Sequence, residues 1–282
     1  MTAPTVDTSS VEVARRAVDW LTMRNQLEWV NRIAMQDLVA VFNVAKDMDP
    51  VRARLYLEQA MIDLVHTYGG AAGDLTADWW NDLAMDEMFY VPGGIDVNYE
   101  QLTKRVRWGT APLVSGAVGD PRARLAGLLQ QMIFGAQRDQ VKLGTAMTRT
   151  GYARMAHPDA CPFCRILASR GAVYTSRAAA TYVGAAGIRQ HYSDGKLKGR
   201  RLKGGRVRGT QKAGEKFHDH CRCVVAPAGL PNAHLELPDY YDKFEEEYAD
   251  ARAAFKDGTA VQLSDLTRVM RQQLKDKGVH TH

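Results

Sequence analysis

The feature that most constrains how this chain folds is the placement of its cysteines. All four lie in two short pieces, His157–Cys164 and Phe217–Cys223, which are far apart in the sequence. In the first piece, Cys161 and Cys164 form a Cys-x-x-Cys turn, which brings two sulfurs together on one tight bend. A tetrahedral metal ion then needs further ligands from another part of the fold. The pattern therefore predicts that the two pieces meet around one zinc ion.

Six residues compete for the four ligand positions of such a site. The candidates are the cysteines and histidines Cys161, Cys164, His218, His220, Cys221 and Cys223. The spacing favours Cys161 and Cys164 and leaves the choice within the second piece open. If protein donors fill all four positions, the site is closed and structural, because a catalytic zinc keeps one position for water. Such a site would contribute about 10–16 kcal/mol of metal-linked folding free energy.

Disulfides or unbonded thiols are the alternatives to zinc. The sequence does not begin with an apolar signal segment, and a chain of 282 residues can build a core without covalent cross-links. No apolar run approaches the roughly 18 residues of a membrane span. We therefore expect reduced cysteines in a soluble protein without a membrane partner.

The net charge of +5 is concentrated in one segment. From Gly195 to Lys216 there are nine Lys or Arg and a single acidic residue, Glu215, whereas acidic residues outnumber basic ones elsewhere. Six glycines in this segment predict a mobile loop, and the lack of aromatic residues predicts phosphate binding without base stacking. A solvated surface segment is the alternative. The residues expected to contact nucleic acid are Lys196, Lys198, Arg200, Arg201, Lys203, Arg206 and Arg208.

The first half of the chain predicts helices. A capping box at Ser9 and Glu12 begins a long amphipathic helix to Ala45. Arg24 interrupts its apolar stripe, which suggests a seam partly open to solvent or to another chain, but the favoured interpretation is a helix packed in its own bundle. In the helix that begins at Asp120-Pro121, Arg138 falls largely outside the apolar side. The other predicted helices cover about 50–68, ending at a Gly-Gly pair, then 76–89 and 99–108, before a Gly- and Pro-rich loop at 109–119.

The second half predicts short strands and helices around the cysteines. A strand at 151–156 leads to the first piece, and a strand at 224–225, ended by Pro227, follows the second. Helices are expected at 163–169, 176–183, 238–255 and 264–275, with an extended piece at 172–175. The predicted fold is mainly α with a small α+β domain. Its parts are an N-terminal helical domain (1–118), a zinc-stabilised α+β domain with the basic loop (119–230) and C-terminal helices (231–282).

Three motifs carry a resemblance to a known family. They are Gly151-Tyr-Ala-Arg-Met-Ala, the run from Cys161-Pro-Phe-Cys to Ala172-Val-Tyr, and His218-Asp-His-Cys-Arg-Cys followed by Val-Val-Ala-Pro. Together they resemble the MuF-like minor head proteins, or head morphogenesis proteins, of tailed bacteriophages, here of the actinobacterial-phage type. The resemblance covers roughly residues 120 to 228. In it, the closing histidine of the family falls on His218 and its cysteines on Cys221 and Cys223, while the Cys161/Cys164 pair matches only a subset of the family.

The resemblance implies a structural role in head assembly and in genome packaging or delivery. It implies a minor capsid protein in the phage head interior or at the portal vertex, and in the host cytoplasm during assembly. Its expected partners are the portal protein, beside which proteins of this family are encoded, the major capsid protein and packaged double-stranded DNA, bound without sequence preference. The N-terminal helices are expected to dock to the portal or to copies of the chain itself.

Two enzymatic functions are the alternatives. Genes of this kind are also labelled capsid maturation proteases, but the sequence lacks His-Glu-x-x-His and Gly-x-Ser-x-Gly motifs. A serine protease would have to draw on the set Ser169, Ser176, Ser193, His157 and His191. A zinc-stabilised nuclease of the His-Asn-His kind would use His218 or His220, beside Asp219, to activate water. A deaminase is disfavoured, because the His-x-Glu partner of its Pro-Cys-x-x-Cys motif is missing.

Overall fold

The computed structural model describes residues 16–84, 90–169, 188–193, 196–201, 221–256 and 261–279. The helices are α1 (Trp20–Ala45), α2 (Pro50–Leu64), α3 (Gly70–Ala84), α4 (Tyr99–Ser115), α5 (Pro121–Thr148), α6 (Pro162–Ala168), α7 (Tyr240–Ala253) and α8 (Leu263–Asp276). The strands are β1 (Arg16–Ala17), β2 (Gly151–Met155), β3 (Ile188–Ser193), β4 (Lys196–Arg201), β5 (Val224–Ala228) and β6 (Ala233–His234). They pair as β1 with β6, β2 with β5, and β3 with β4. The fold is mainly α with a small α+β part, as predicted.

The first helix begins later than the capping-box pattern predicts. Ala17 lies in β1, which pairs in parallel with β6, and the Val18 N–H donates to the carbonyl of His234 at 2.9 Å. These contacts hold the backbone extended until Asp19, whose side chain caps α1 by accepting from the Thr22 N–H. The predicted capping box at Ser9 lies outside the described residues.

The Gly69-Gly70 pair does not end a helix, contrary to the prediction. A π-helical turn, Val65–Gly69, joins α2 directly to α3. The glycines of this region allow close packing. A Cβ on Gly69 would lie 2.6 Å from Cδ1 of Ile95, and a Cβ on Gly73 would lie 1.7 Å from the carbonyl oxygen of Gly94.

The predicted loop at 109–119 is wrong in its first half, because α4 continues to Ser115. Pro112 lies inside the helix and lacks the N–H that would bond to the carbonyl of Trp108. The Arg124 guanidinium donates to that carbonyl instead, at 3.0 Å. Gly109 permits close contact with α5, since a Cβ there would lie 2.5 Å from Cδ2 of Leu125. The helix ends at Gly116, which has a left-handed backbone with φ 65°.

The largest hydrophobic core joins α1–α5 to the sheet of β2 and β5. α5 packs against α1, α3, α4 and β5. Two smaller clusters follow: one surrounds the cysteines with Tyr241 and Phe244 of α7, and the other joins Ile166 of α6 to α8. The main core thus crosses the boundary predicted at residue 118, and the division into domains stays a prediction. In the described ranges, no helix combines the length and apolar character that a bilayer span needs.

β5 continues through Pro227, where the prediction ended it. The Val225 N–H and C=O bond to the side chain of Gln137 rather than to β2. Backbone N–H groups two residues apart in a strand point the same way, so the nitrogen of Pro227, like that of Val225, faces away from β2. The missing N–H of Pro227 therefore removes no bond between β2 and β5.

The predicted basic loop is also partly wrong, because residues 196–201 form β4, paired antiparallel with β3. The remaining residues of that loop, 195 and 202–216, and the elements predicted at 172–175 and 176–183 lie outside the described residues. The predicted strand at 151–156, the short helix after the first cysteine piece and the two C-terminal helices are confirmed, with small shifts at their ends.

Candidate metal centre

The candidate ligands lie at one end of the sheet formed by β2 and β5. The strands are antiparallel with Met155 opposite Val224, so the chain leaving β2 and the chain entering β5 lie side by side. The first cysteine piece follows β2 and the second precedes β5. Pairing of two strands that are distant in the sequence therefore brings the two pieces together.

The first piece turns into α6 at Cys161. This residue is the N-cap, with extended backbone (φ −63°, ψ 159°), and Pro162 is the first helical residue. Proline suits that position because its missing N–H would have no helical acceptor. Cys164 therefore lies in the first turn of the helix, and its Sγ is 3.6 Å from Sγ of Cys221.

Three buried cysteines form the cluster: Cys164, Cys221 and Cys223, each 1% exposed, with sulfurs all within 4.8 Å of one another. Tetrahedral zinc with Zn–S bonds of about 2.3 Å separates its sulfurs by about 3.8 Å, close to the Cys164–Cys221 distance. A disulfide needs an S–S distance of about 2.05 Å, and none of the four cysteines, all of which lie in the described residues, forms a disulfide. The three cysteines could hold a metal ion.

Of the other three predicted ligands, the described residues include only Cys161. Cys161 is buried next to the cluster and hydrogen-bonds with Cys164, but it is not one of the three whose sulfurs all lie within 4.8 Å. His218 and His220 lie outside the described residues. The identity of a fourth ligand among these residues stays a prediction.

Two side chains of α5 hold the second cysteine piece in place. Arg138 donates to the carbonyls of Cys221 at 2.8 Å and Cys223 at 2.7 and 2.9 Å. Gln137 accepts from the Val225 N–H at 3.1 Å and donates to its carbonyl at 2.7 Å, as a neighbouring strand would. The prediction that Arg138 falls outside the apolar side of its helix is wrong, since this residue is 2% exposed. The backbone carbonyls of the second cysteine piece are the polar partners that allow Arg138 to be buried.

A second buried arginine contacts the sulfurs. Arg154 of β2 lies with Nη1 3.7 Å from Sγ of Cys164. Hydrogen bonds with Cys164 and Cys223, together with the charges of Arg138 and Arg154, lower the pKa of the Cys221 thiol. Hydrogen bonds with Cys161, Cys221 and Cys223 raise the pKa of the Cys164 thiol. The cluster therefore favours a thiolate at Cys221, and thiolate is the form that binds metal.

His157 is in a polar group beside the cluster. Its Nδ1 contacts the Asp159 carboxylate, which also binds Arg222 at 3.0 Å, and its Nε2 lies 3.7 Å from Oε1 of Glu28. Burial lowers the pKa of His157 more than the Asp159 charge raises it. The His157–Asp159 pair resembles part of a hydrolase triad, but the Nε2 side faces a carboxylate rather than a serine. Within the described chain, the hydroxyl of Ser169 donates to the carbonyl of Ile166, and Ser176 is not among the described residues.

Side chains of α7 bond to residues just before and just after the first cysteine piece. The Tyr241 hydroxyl donates to the Arg154 carbonyl at 2.7 Å and accepts from the Ala156 N–H at 2.8 Å. Arg165 of α6 donates to both carboxylate oxygens of Glu247 at 2.9 Å, with side-chain exposures of 3% and 6%. α7 thus packs on the segment that carries Cys161 and Cys164.

Arg24 also belongs to this region. It is 7% exposed, its guanidinium lies 5.1 Å from the Trp20 ring, and it hydrogen-bonds with Tyr240 of α7. The position of Arg24 on α1 is therefore covered by the C-terminal part of the same chain, which agrees with the favoured interpretation of a helix packed within its own molecule and not with an open seam.

Sequence reasoning missed the residues that surround the cysteines: Gln137, Arg138, Arg154, Arg165, Tyr241 and Glu247. Arg138 offered one signal, because it follows Phe134 by one helical turn on the most buried face of α5. The others gave none, because their roles depend on contacts with residues distant in the sequence.

The predicted nucleic-acid contacts divide into two groups. Lys196, Lys198, Arg200 and Arg201 are in β4. Lys203, Arg206 and Arg208 lie outside the described residues.

These features define a class of protein: mainly α, with a small antiparallel sheet that carries a buried cysteine cluster able to hold a metal ion. Residues 14–251, most of the chain, match the family described as VG15 protein. The chain therefore belongs to the VG15 protein family, a family of viral proteins. No curated protein and no solved structure matched the chain.

Proposed function

We propose that this chain is a structural minor head protein of a tailed bacteriophage, with a role in head assembly and in genome packaging or delivery. The observation that carries the proposal is its membership of a viral family, combined with a buried cysteine cluster at the junction of the MuF-like motifs. A cluster of cysteines that are each 1% exposed suits a scaffold better than a reaction centre, because a catalytic metal needs an open position.

The cluster binds one structural Zn²⁺ in this proposal. Cys164, Cys221 and Cys223 supply three ligands, and the fourth comes from Cys161, His218 or His220. Three thiolates and a divalent cation carry a net charge of −1. The two buried guanidinium groups that contact the cysteine piece, those of Arg138 and Arg154, offset that charge. The protein would then fold fully only with metal bound.

Metal content tests this site. Purified protein should contain about one zinc per chain, and Cys164→Ser should lose the zinc and melt at least 10 °C lower, because several kcal/mol of metal-linked stability disappear. Parallel Cys161→Ser, His218→Ala and His220→Ala variants identify the fourth ligand, since only one of them should lose zinc. Wild-type protein without zinc, or Cys164→Ser with unchanged zinc and melting temperature, would reject the site.

The proposed partners are the portal protein, the major capsid protein and packaged double-stranded DNA, at the portal vertex or inside the head. α1 supports docking through helices, because it exposes apolar side chains, namely Leu21, Trp29, Val39 and Val44. Such docking could join the chain to the portal or to another copy. Deleting the gene from its phage should yield particles that lack DNA or do not infect, and the wild-type protein should co-purify with the portal. Normal assembly, packaging and infection without the gene would refute the proposal.

The capsid maturation protease is the second candidate, and the His157–Asp159 contact is the observation that favours it. Incubating the protein with the matching major capsid protein tests it. We expect no cleavage. Cleavage that His157→Ala abolishes, while zinc content is retained, would replace the structural role with the protease. The nuclease alternative has no support from the described residues, and a plasmid-nicking assay with divalent metals checks it.

A further inference from the structure

β3 and β4 form a two-stranded antiparallel ribbon whose register sorts its residues onto two faces. Arg189 pairs with Arg200, His191 with Lys198 and Ser193 with Lys196. In an antiparallel pair, directly opposed residues share a face, and successive residues of a strand alternate between faces. Positions 189, 191, 193, 196, 198 and 200 therefore lie on one face of the ribbon. Positions 188, 190, 192, 197, 199 and 201 lie on the other.

The two faces differ sharply in composition. The first, called here the basic face, has a Lys, Arg or His at every position except Ser193: Arg189, His191, Lys196, Lys198 and Arg200. The second face has one basic residue, Arg201, and three apolar ones, Ile188, Tyr192 and Leu197. Five of the six Lys, Arg and His residues of the ribbon therefore lie on one face.

We propose that the basic face binds the phosphate backbone of double-stranded DNA without sequence preference. This inference rests on the proposed function, in which the protein works beside packaged DNA. Alternate residues of a strand are about 6.7 Å apart, so three rows of paired positions extend about 13 Å. Duplex DNA carries about eight phosphate charges over that length. A two-stranded ribbon also has a width that the major groove of DNA can accept.

The ribbon changes which residues should matter. Arg189 and His191 lie before the basic segment recognised in the sequence, yet they share a face with Lys198 and Arg200. Arg201 belongs to that segment but lies on the opposite face. The neighbours Arg200 and Arg201, equal in charge, therefore form a matched pair that separates a positioned contact from a general effect of net charge.

Salt-dependent DNA binding by the full-length protein tests the assignment, with two 30-base-pair duplexes of unrelated sequence. Wild-type protein should bind both duplexes within about twofold of each other, with an affinity that falls as salt rises. Arg200→Gln should weaken binding several-fold and reduce the slope of log K against log salt by about one, and Arg189→Gln/Arg200→Gln by about two. Arg201→Gln should stay within about twofold of wild type.

The outcomes separate the two proposals. If wild-type protein binds neither duplex, DNA contact is no longer part of the proposed function, and the proposal for the basic face is rejected as well. Wild-type binding that Arg200→Gln and Arg201→Gln weaken equally overturns the basic face alone and leaves the proposed role. Circular dichroism melts confirm that each variant is folded. If Arg200→Gln does not fold, Lys198→Gln, on the same face, takes its place with the same expected result.

Discussion

Arg138 illustrates how one charged residue can organise a candidate metal site without being one of the candidate ligands. Its guanidinium is buried and donates to the carbonyls of Cys221 and Cys223, two residues apart in the segment that precedes β5. These hydrogen bonds are buried, away from water. A buried carbonyl without a donor costs about 1–3 kcal/mol, so the arginine fixes both the course of the segment and the direction of its sulfurs.

Replacing this arginine should damage both stability and metal binding. Arg138→Met keeps the length of the side chain but removes its donors, and we expect a loss of about 2–4 kcal/mol in the free energy of unfolding. Zinc affinity should fall about 10- to 100-fold, as for other residues that orient metal ligands. Urea unfolding and competition with a zinc-binding dye measure the two effects. The exposed Arg122, on the same helix, is the control: Arg122→Met should change neither, and equal effects of both variants would contradict this account.

α5 shows how a helix can use glycine as a packing residue. A Cβ at Gly144 would lie 2.2 Å from Cε2 of Trp80, which is fully buried in α3. The missing side chain therefore allows the indole of α3 to lie directly against the backbone of α5. The same helix contains Gly135, where an added Cβ meets nothing within 4 Å.

These two glycines should respond in opposite directions to alanine. Gly144→Ala should destabilise the protein by about 1–3 kcal/mol, because neither the indole nor the helix backbone can yield cheaply. Gly135→Ala should stabilise it by about 0.5–1 kcal/mol, since alanine is the better helix former and the site has room. Thermal melts of both variants measure the difference. A stabilising Gly144→Ala would show that α3 and α5 do not pack in this way.

At the scale of the whole molecule, the hydrophobic clusters are arranged in series. The main core holds α1–α5 and the sheet, the cysteine cluster adjoins it, and α6 then connects the cysteines to the cluster of α7 and α8. The Arg165–Glu247 pair links α6 to α7 in a buried position. Firm attachment of the C-terminal helices should therefore depend on this pair and on the segment that carries the first two cysteines.

Breaking that link should release the C-terminal helices first. Glu247→Gln leaves the buried Arg165 charge without its carboxylate, which we expect to cost about 3 kcal/mol and to expose 240–276 to limited proteolysis before α1–α5 are cut. Glu246→Gln, at the exposed neighbouring position, removes the same charge and should leave the cleavage pattern unchanged. Mass spectrometry of the fragments identifies the cut sites. Simultaneous digestion of both parts would mean that the molecule unfolds as a single unit.

For the β-ribbon, the sequence contained a hairpin signal, but the composition of the segment favoured a different prediction. Asp194-Gly195 lies between two stretches, 188–193 and 196–201, that now form β3 and β4, and Asp-Gly is a typical hairpin dipeptide. The density of glycine and charge favoured a loop instead. The register, which decides the face of each basic residue, becomes evident only when Ser193 is known to pair with Lys196.

Local patterns were enough to predict most of the helices, the short strands beside the cysteines and the meeting of the two cysteine pieces. Caps such as Asp49-Pro50 and Asp120-Pro121 act through the backbone of the next few residues, so their effect can be read from the chain itself. Which three sulfurs lie closest, why Arg138 is buried and why the glycines of α2–α5 extend helices rather than end them were decided by packing. Those outcomes depend on atoms that come close only after folding, and no short stretch of sequence contains both partners.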